Sequence, residues 1–439
     1  MRTILLTAVV LSAAIADTAA APTVRVAPAT EVARETDPRR WAEPHLAVHP
    51  ANPEHLLGAA WSALTAADPE QARHCAAFVS VDGGTRWARH DFPMAGCYDE
   101  QVAILPDGQA VYVALATLPG VKPDRDDWLV VFHSTDGGVT WDPAPTTLGW
   151  RFDHPAVAVD SGSGARAGWI YVTSHLEWVD GTPQPKSAVF VARSRNGGKT
   201  FDVPVLVTPS ALHNFAETPV VLSDGTLVAS FVDDTWTAPS PPRRHAWVVR
   251  STDGGVTFGP PRFVNEACGP PPNFQLSSLA VDRSTGPFRD HLYFACRQNA
   301  GGPVVVSSSA DGGMTWAAPV PVGPLAVDAS ARRMITLAVS PKGVLGVLIA
   351  ERHSQEGDAC LETTFSASLD GGQTFLAPQR VSATPCGSSP NDQMVQRRFA
   401  TYGDYYGLTA TPDGRFRVLW PEMRNGASVL LTTTIDVTP

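Results

Sequence analysis

The sequence predicts an all-β fold, a seven-bladed β-propeller whose blades are four-stranded antiparallel sheets. Three observations carry this prediction: helix-like periodicity is hard to find, an eight-residue pattern recurs at blade-length spacing, and short apolar runs recur seven times. Repeats of this period that carry strands rather than helices are typical of one propeller blade each. The 36 glycines and 39 prolines lie between short apolar runs, as turns of an all-β chain do.

The eight-residue pattern has the form Ser-x-Asp-Gly-Gly-x-Thr-Trp or a close variant, and we call its six copies the DGG turns. Its third position is occupied, at separations of 54 to 60 residues, by Asp82, Asp136, Asn196, Asp253, Asp311 and Asp370. Each copy follows an apolar run and precedes an extended one, which predicts the hairpin turn between strands three and four. Asp-Gly-Gly supplies the positive φ angles and the side-chain acceptor that a tight turn needs.

The second pattern is a run of small apolar residues upstream of each DGG turn, with a seventh copy after the last one. The runs begin at His45, Gln101, Ala156, Val220, Leu279, Leu337 and Gly407. Small side chains suit the innermost strand of a blade, because the blades crowd together at the propeller axis. Seven inner strands predict seven blades, and six blades is the alternative that the six DGG turns leave open.

The predicted seventh blade comprises Tyr406–Ala410, Phe416–Trp420 and Ser428–Thr434, and it lacks both a DGG turn and a fourth strand. The segment Thr23–Ala27 resembles the strand-four runs of other blades. It is predicted to complete the seventh blade and close the ring, which removes the exposed edges of an open sheet. No linker interrupts the chain, so residues 21–439 are predicted to form a single domain.

Residues 1–20 are predicted to be a signal peptide. Arg2 precedes the apolar run Ile4–Ala16, and Thr18–Ala20 offers small residues for cleavage. The run is too short to span a bilayer and no other long apolar stretch occurs, so no membrane insertion is predicted. The expected protein is a monomer, secreted to the periplasm or the extracellular space. Its net charge of −10 and its lack of basic runs argue against a nucleic-acid partner.

Export makes disulfide bonds the expected state of the six cysteines. Their positions in the repeat put two around the first strand 3–4 hairpin and two around the sixth DGG turn, which leaves the last two for each other. The predicted pairs are therefore Cys75–Cys97, Cys360–Cys386 and Cys268–Cys296. A metal cluster is disfavoured, because close C-x-x-C spacing is missing.

Polar residues precede every inner strand, on the face opposite the DGG turns, where loops surround a central funnel. They are Glu43, Asp99, Asp153 with His154, Glu217, Gln275, Arg333, and Asp404 with Tyr405. Three consecutive blades also end strand two with arginine, at Arg297, Arg352 and Arg424. Guanidinium groups that converge on one funnel can hold a carboxylate or sulfate through paired hydrogen bonds. The competing interpretation is that these residues solvate the rim and pair with one another.

The DGG turns resemble Asp-boxes, the repeat found in the sialidase superfamily of propellers. Ala216–Leu227 and Gly403–Gly407 are similar to the sialidase segments that carry the catalytic glutamate and the nucleophilic tyrosine. The resemblance implies Tyr405 as nucleophile, Glu217 as its base and Asp127 as the acid. The remaining predicted substrate contacts are Arg297, Arg352, Arg424, Asp99, Asp153, His154 and Asp404. The implied function is a secreted glycosidase that acts on an anionic glycan.

Three alternatives stay open. One is a non-catalytic propeller that binds a protein partner or a surface polysaccharide. Another is a polysaccharide lyase acting on uronic-acid glycans, because His154 and His175 share a predicted blade with Asp153. A third is a mononuclear metal held by Asp99, Asp153 and His154. No G-x-S-x-G, H-E-x-x-H or Walker motif is present, and no cofactor is predicted.

Overall fold

The chain folds into strands and turns. A computed structural model describes residues 21–36, 39–64, 73–118, 128–178, 186–208, 213–235, 243–266, 277–298, 302–323, 333–355, 358–382, 403 and 405–439. These residues form seven small antiparallel sheets that follow one another along the chain. The prediction of a seven-bladed β-propeller is therefore confirmed, and the six-bladed alternative is excluded. No helix within the described residues is long and apolar enough to cross a membrane.

Two strands precede the first blade, namely β1 (Thr23–Val26) and β2 (Thr30–Glu35). Blade one contains β3 (Arg39–His49), β4 (Asn52–Leu64), β5 (His74–Ser80) and β6 (Ala88–Asp91). Blade two contains β7 (Ala95–Ile104), β8 (Ala110–Thr117), β9 (Trp128–Ser134) and β10 (Thr146–Trp150). Blade three contains β11 (Phe152–Val159), β12 (Ile170–Trp178), β13 (Lys186–Ser194) and β14 (Val205–Leu206).

The later blades repeat this order. Blade four contains β15 (His213–Val221), β16 (Leu227–Thr235), β17 (Arg243–Ser251) and β18 (Arg262–Asn265). Blade five contains β19 (Ser278–Val281), β20 (Leu292–Arg297), β21 (Val304–Ser309) and β22 (Val320–Val322). Blade six contains β23 (Arg333–Val339), β24 (Leu345–Gln355), β25 (Asp358–Ser368) and β26 (Gln379–Arg380). Blade seven contains β27 (Gly407–Ala410), β28 (Phe416–Arg424) and β29 (Ala427–Thr438).

The amino-terminal strands close the ring. Both β1 and β2 pair with β29, so the seventh sheet has five strands. The pairing of β1 runs from Thr23 opposite Thr438 to Val26 opposite Ile435, as the sequence predicts for this segment. The second closing strand, β2, is not evident from the sequence. Blade seven is also tied to blade one, because the Trp41 amide donates to Ser428 Oγ at 3.1 Å.

The DGG turns have the geometry that their residues predict. In the second turn, Gly137 and Gly138 have φ angles of +72° and +94°. Ser134 Oγ accepts from the Gly138 amide at 2.8 Å, and Asp136 Oδ1 accepts from the Thr140 amide at 2.8 Å. A Cβ on Gly138 would lie 2.6 Å from a methyl group of Leu57 in the preceding blade. The second glycine therefore serves both the turn and the packing between blades.

The hydrophobic core is divided into layers between neighbouring blades. The layer between blades one and two illustrates the pattern, since both blades contribute inward-facing aromatic rings: Trp61, Phe92, Tyr112, Phe132 and Trp141. Phe92 contacts the last three of these rings at centroid distances of 4.2 to 5.4 Å. Strands buried on both faces explain why blade interiors have nearly continuous apolar runs instead of strict alternation.

One predicted disulfide is confirmed, although it connects different elements from those expected. Cys75 and Cys97 are bonded, and they lie in β5 of blade one and β7 of blade two. The bond therefore crosses between blades, whereas the sequence suggested a bracket around one hairpin. Cys296 is also disulfide-bonded. The partner predicted for it, Cys268, and the side chains of Cys360 and Cys386 lie outside the described residues, so these two pairings stay predictions.

Candidate functional site

Four successive inner strands are interrupted at the same position by a β-bulge. The register with strand two shifts after Ala42 in blade one, Tyr98 in blade two, Asp153 in blade three and Ala216 in blade four. The first residue of each bulge is then Glu43, Asp99, His154 and Glu217, respectively. In these four blades, the polar residue that the sequence predicts near the start of the inner strand is therefore the first residue of a β-bulge.

The bulge residues have an unusual backbone conformation. Glu43, Asp99 and His154 have φ angles of +51°, +54° and +46°. Non-glycine residues in this left-handed region are uncommon and cost free energy, and they concentrate at functional sites. A bulge also bends its strand and redirects the side chain that it displaces. Three adjacent blades therefore use the same strained backbone to direct an ionisable side chain.

The side chains of blades two and three meet. One carboxylate oxygen of Asp99, one of Asp153 and one ring nitrogen of His154 all lie within 4.8 Å of one another. The His154 ring stacks on that of His175 at 5.6 Å with an interplanar angle of 19°. The fully buried His175 Nε2 lies 3.7 Å from Asp153 Oδ2. Two imidazoles thus flank the carboxylates of this cluster.

Two further parts of the chain contribute to this group of side chains, namely Glu43 of blade one and the segment that leads into blade seven. Glu43 is 5% exposed, and its Oε2 accepts a 2.7 Å hydrogen bond from Trp61 Nε1. A Cβ on Gly403, which has a φ of +92°, would lie 1.9 Å from Glu43 Cγ. Only glycine allows the chain to pass so close to Glu43, and this passage brings Tyr405 to the carboxylates. We call the whole group the bulge cluster: Glu43, Asp99, Asp153, His154, His175 and Tyr405.

The cluster holds its acidic groups in different protonation states. Burial on its own raises the pKa of the Asp99 carboxyl, but the charge of His154 and polar contacts with Glu43, Tyr405 and Asp153 outweigh it and lower the pKa overall. Burial raises the pKa of the Tyr405 hydroxyl well above its usual value, and the negative charges of Asp99 and Glu43 raise it further. At neutral pH Asp99 is therefore ionised and Tyr405 is a neutral phenol.

Glu100 lies next to Asp99 as the second residue of the bulge. It is fully buried, and burial raises the pKa of its carboxyl well above the usual value. The Arg73 guanidinium covers this region, with its central carbon 5.4 Å from the Trp61 ring centroid and 4.3 Å from that of Tyr98. Sequence inspection missed Glu100, although an acidic pair directly before an apolar inner strand was a usable signal.

Several residues predicted for the site are brought together by the fold. Tyr405, Asp99, Asp153 and His154 all belong to the bulge cluster. Glu217 occupies the corresponding backbone position in blade four. Asp127 and Asp404, and the side chains of Glu217 and Arg352, lie outside the described residues, so their predicted roles stay predictions.

Two of the three arginines, Arg297 and Arg424, end the second strand of their blades, as the sequence predicts. The prediction is wrong for Arg352, because β24 continues past it to Gln355. Arg297 ends β20 and is 5% exposed. In β28, Arg424 Nε donates to Glu422 Oε2 at 3.0 Å, so this guanidinium is held by a carboxylate two residues away. To bind a substrate carboxylate as predicted, Arg424 would have to use guanidinium N–H groups other than the Nε–H. That role stays a prediction for all three arginines.

The bulge cluster also includes a set of donors suited to a metal ion. Among the described residues, Asp99, Asp153 and His154 are the acidic and imidazole groups close enough to share one ion. Two carboxylates and an imidazole are ligands that divalent cations such as Mn²⁺ or Zn²⁺ accept. Polar contacts from Glu43, Tyr405 and Asp153 already stabilise the Asp99 charge, so the arrangement is equally consistent with proton-transfer chemistry.

Comparison with known proteins supports the fold. No protein-family model and no curated protein matches the sequence. Among solved structures, the Hadza microbial sialidase Hz136 has a TM-score of 0.50 and 17% identity over 90% of this chain. This chain spans 65% of that sialidase. An α-L-arabinanase from Penicillium chrysogenum has a TM-score of 0.50 and 13% identity, covering 74% of this chain and 94% of the arabinanase. The fold defined by these strands is a sialidase-like β-propeller.

Proposed function

We propose that this protein is a glycoside hydrolase whose catalytic centre is the bulge cluster, with Tyr405 as nucleophile and Asp99 as its base. The single observation that carries this proposal is that the fold places the buried Tyr405 hydroxyl beside the Asp99 carboxyl. An adjacent base is what a phenol needs to act as a nucleophile at neutral pH. We assign to Asp99 the role that the family resemblance gave to Glu217, because among the described carboxylates Asp99 interacts most strongly with the Tyr405 hydroxyl.

The proposed reaction divides the chemistry between these groups. The Tyr405 oxygen attacks the anomeric carbon while its proton passes to Asp99, and Asp127 protonates the leaving oxygen. Water then attacks the anomeric carbon of the glycosyl-tyrosine, Asp127 accepts a proton from that water, and Asp99 returns its proton to the Tyr405 oxygen as it leaves. Glu43, fixed by Trp61, contacts the Asp99 carboxyl and helps to hold this base in position.

The proposed substrate is a glycan with an anionic terminal sugar, and the protein is proposed to be a secreted Asp-box protein. Arg297, Arg352 and Arg424 supply the cationic groups for a carboxylate. The two similar solved structures are a sialidase and an arabinanase, which agrees with a glycan as the substrate. Residues 1–20 have the composition of an export signal.

The test is a screen of the purified protein against aryl glycosides of sialic acids, uronic acids and arabinose. The wild-type protein is expected to release the aryl group from at least one of them. Asp99→Asn should lower kcat by about 10²- to 10⁴-fold, the range for a lost general base. Tyr405→Phe should abolish the glycosyl-enzyme adduct that a fluorinated sugar traps and mass spectrometry detects.

A matched control separates chemistry from packing. Tyr293 is a buried tyrosine of the core between blades five and six, and Tyr293→Phe should keep full activity. The proposal is wrong if no glycoside is hydrolysed, or if Tyr405→Phe is as active as Tyr293→Phe.

A lyase acting on uronic-acid polysaccharides is the second candidate. The stacked His154 and His175 beside Asp153 favour it, because an imidazole pair can neutralise a uronate carboxylate while a base removes the neighbouring proton. A lyase leaves a double bond in its product, which absorbs ultraviolet light, whereas a hydrolase does not. The same screen on polygalacturonate and hyaluronan therefore distinguishes the two reactions.

A further inference from the structure

A groove between blades four and five lies beside β18, the outermost strand of blade four, and the segment that leads into β22, the outermost strand of blade five. It has a volume of about 420 Å³. One side is formed by the end of β18, and the other by the chain that links β21 to β22. The residues used below are Phe263, Asn265, Glu266, Gln298, Trp316 and Ala318.

The two sides of the groove present fixed aromatic rings. Phe263 is 43% exposed, and its ring packs edge-on against Trp247 at 5.4 Å. A β-bulge at Val264 shifts the register between Phe263 and Asn265, which leaves Val264 buried and Phe263 at the surface. On the opposite side Trp316 packs against Phe294 at 6.4 Å. An exposed large ring held by other rings is a preformed contact surface.

Planar polar groups lie between and beside these rings. Asn265 is 6% exposed, and its amide nitrogen donates to Ser307 Oγ at 2.8 Å, so its orientation is fixed. Gln298 and the exposed Glu266 add an amide and a carboxylate. None of the described lining side chains is cationic.

This combination suits an uncharged sugar chain. The negative face of an aromatic ring attracts the positively polarised C–H groups on the flat face of a sugar ring. Amide and carboxylate groups bind sugar hydroxyls as donors and acceptors. A carboxylate with no cationic side chain among the described lining residues disfavours an anionic ligand.

We propose that the groove between blades four and five is a second glycan-binding site, specific for a neutral polysaccharide and separate from the bulge cluster. It holds the polymer to the protein while the chemistry takes place elsewhere. Binding at the groove does not depend on hydrolysis, so the two proposals can fail independently.

Affinity electrophoresis of the full chain through gels that contain arabinan, β-glucan or hyaluronan tests this proposal. At least one neutral polymer should retard the wild-type protein, and hyaluronan should not be bound through the groove. Phe263→Ala should weaken retardation by the neutral polymer about tenfold, which corresponds to about 1.4 kcal/mol. Hydrolysis of a small aryl glycoside should be unchanged in the same variant.

Two further variants make the result specific. Trp150 is an outer-strand aromatic residue of blade two with a similar exposure of 46%, and Trp150→Ala should bind like the wild type. Ala318→Glu places bulk and charge in the groove from an exposed position, and it should weaken binding even if Phe263→Ala fails to fold.

The proposal is overturned if no neutral polymer retards the wild type, or if Phe263→Ala and Trp150→Ala behave alike. A Phe263-dependent change in sedimentation without polymer would instead identify the groove as a contact between two copies of the chain.

Discussion

Replacing Gly403 with alanine tests whether the close approach of blade seven positions the catalytic carboxylates. The added Cβ would lie 1.9 Å from Glu43 Cγ, and ordinary contacts begin at 3.4 Å, so one partner must move by about 1.5 Å. A misplacement of about 1 Å at a catalytic group can cost about 100-fold in rate. We therefore expect kcat/KM of Gly403→Ala to fall by about 100-fold on whichever glycoside the wild type hydrolyses.

Gly426 provides the matched control. It also has a positive φ, +78°, but a Cβ there meets nothing within 4 Å. Both variants bear the left-handed strain of about 1–2 kcal/mol, which thermal unfolding measures, but only Gly403→Ala should lose activity.

A second readout of the Gly403 variant needs no substrate. The Trp61 indole N–H donates to Glu43, and its resonance in an ¹H–¹⁵N spectrum should shift in Gly403→Ala alone. Equal activity of the two variants with an unshifted Trp61 resonance would refute the reasoning.

Two further predictions concern stability. Replacing both Cys75 and Cys97 with alanine should lower the free energy of unfolding by about 3 kcal/mol, because the bond closes a loop of 22 residues; urea unfolding measures the loss, and one below about 1 kcal/mol would contradict the loop-entropy explanation. In the fifth DGG turn, burial on its own raises the pKa of Asp311, but hydrogen bonds from Thr315 outweigh it and lower the pKa from 3.8 to about 2. Its ionised form therefore stabilises the fold above pH 3.8, and this contribution disappears as the pH falls through about 2. Thermal unfolding of Asp311→Asn between these pH values should show a weaker acid dependence than the wild type, because an asparagine side chain does not titrate. The turn itself should still form, since Asn196 makes the equivalent contact in the third DGG turn. Equal acid dependence in the two proteins would show that Asp311 does not cause it.

The blade count could be predicted from the sequence because its signals are local. Asp-Gly-Gly fixes a turn through its own backbone requirements, and small apolar runs mark the crowded axis. The second closing strand could not be predicted in the same way. Its sequence Thr-Glu-Val-Ala-Arg-Glu is polar and short, and its pairing with β29 is decided by a partner almost 400 residues away.

The candidate site could be predicted in part for a similar reason. The position of Glu43, Asp99, Asp153, His154 and Tyr405 before inner strands identified five members of the bulge cluster. The bulges themselves could not be predicted from the sequence, because nothing local in Glu43-Pro44 or Asp99-Glu100 requires a left-handed backbone. Trp61 joins the site through a hydrogen bond to Glu43 on the adjacent strand of blade one. Gly403 joins it through a close approach to Glu43, and this contact between blades seven and one is set by the closed ring rather than by neighbouring residues.

The closure of the ring by β1 and β2 also has a consequence for biosynthesis. Their partner β29 is Ala427–Thr438, so these strands leave the ribosome before the seven blades do and cannot pair until β29 has been synthesised. An unpaired strand is a template for aggregation during that interval. Glu31, Arg34 and Glu35 put charges along β2, and such charges discourage pairing with other nascent chains. Closing the ring thus requires contact between segments almost 400 residues apart, and contacts at such long sequence separation form slowly.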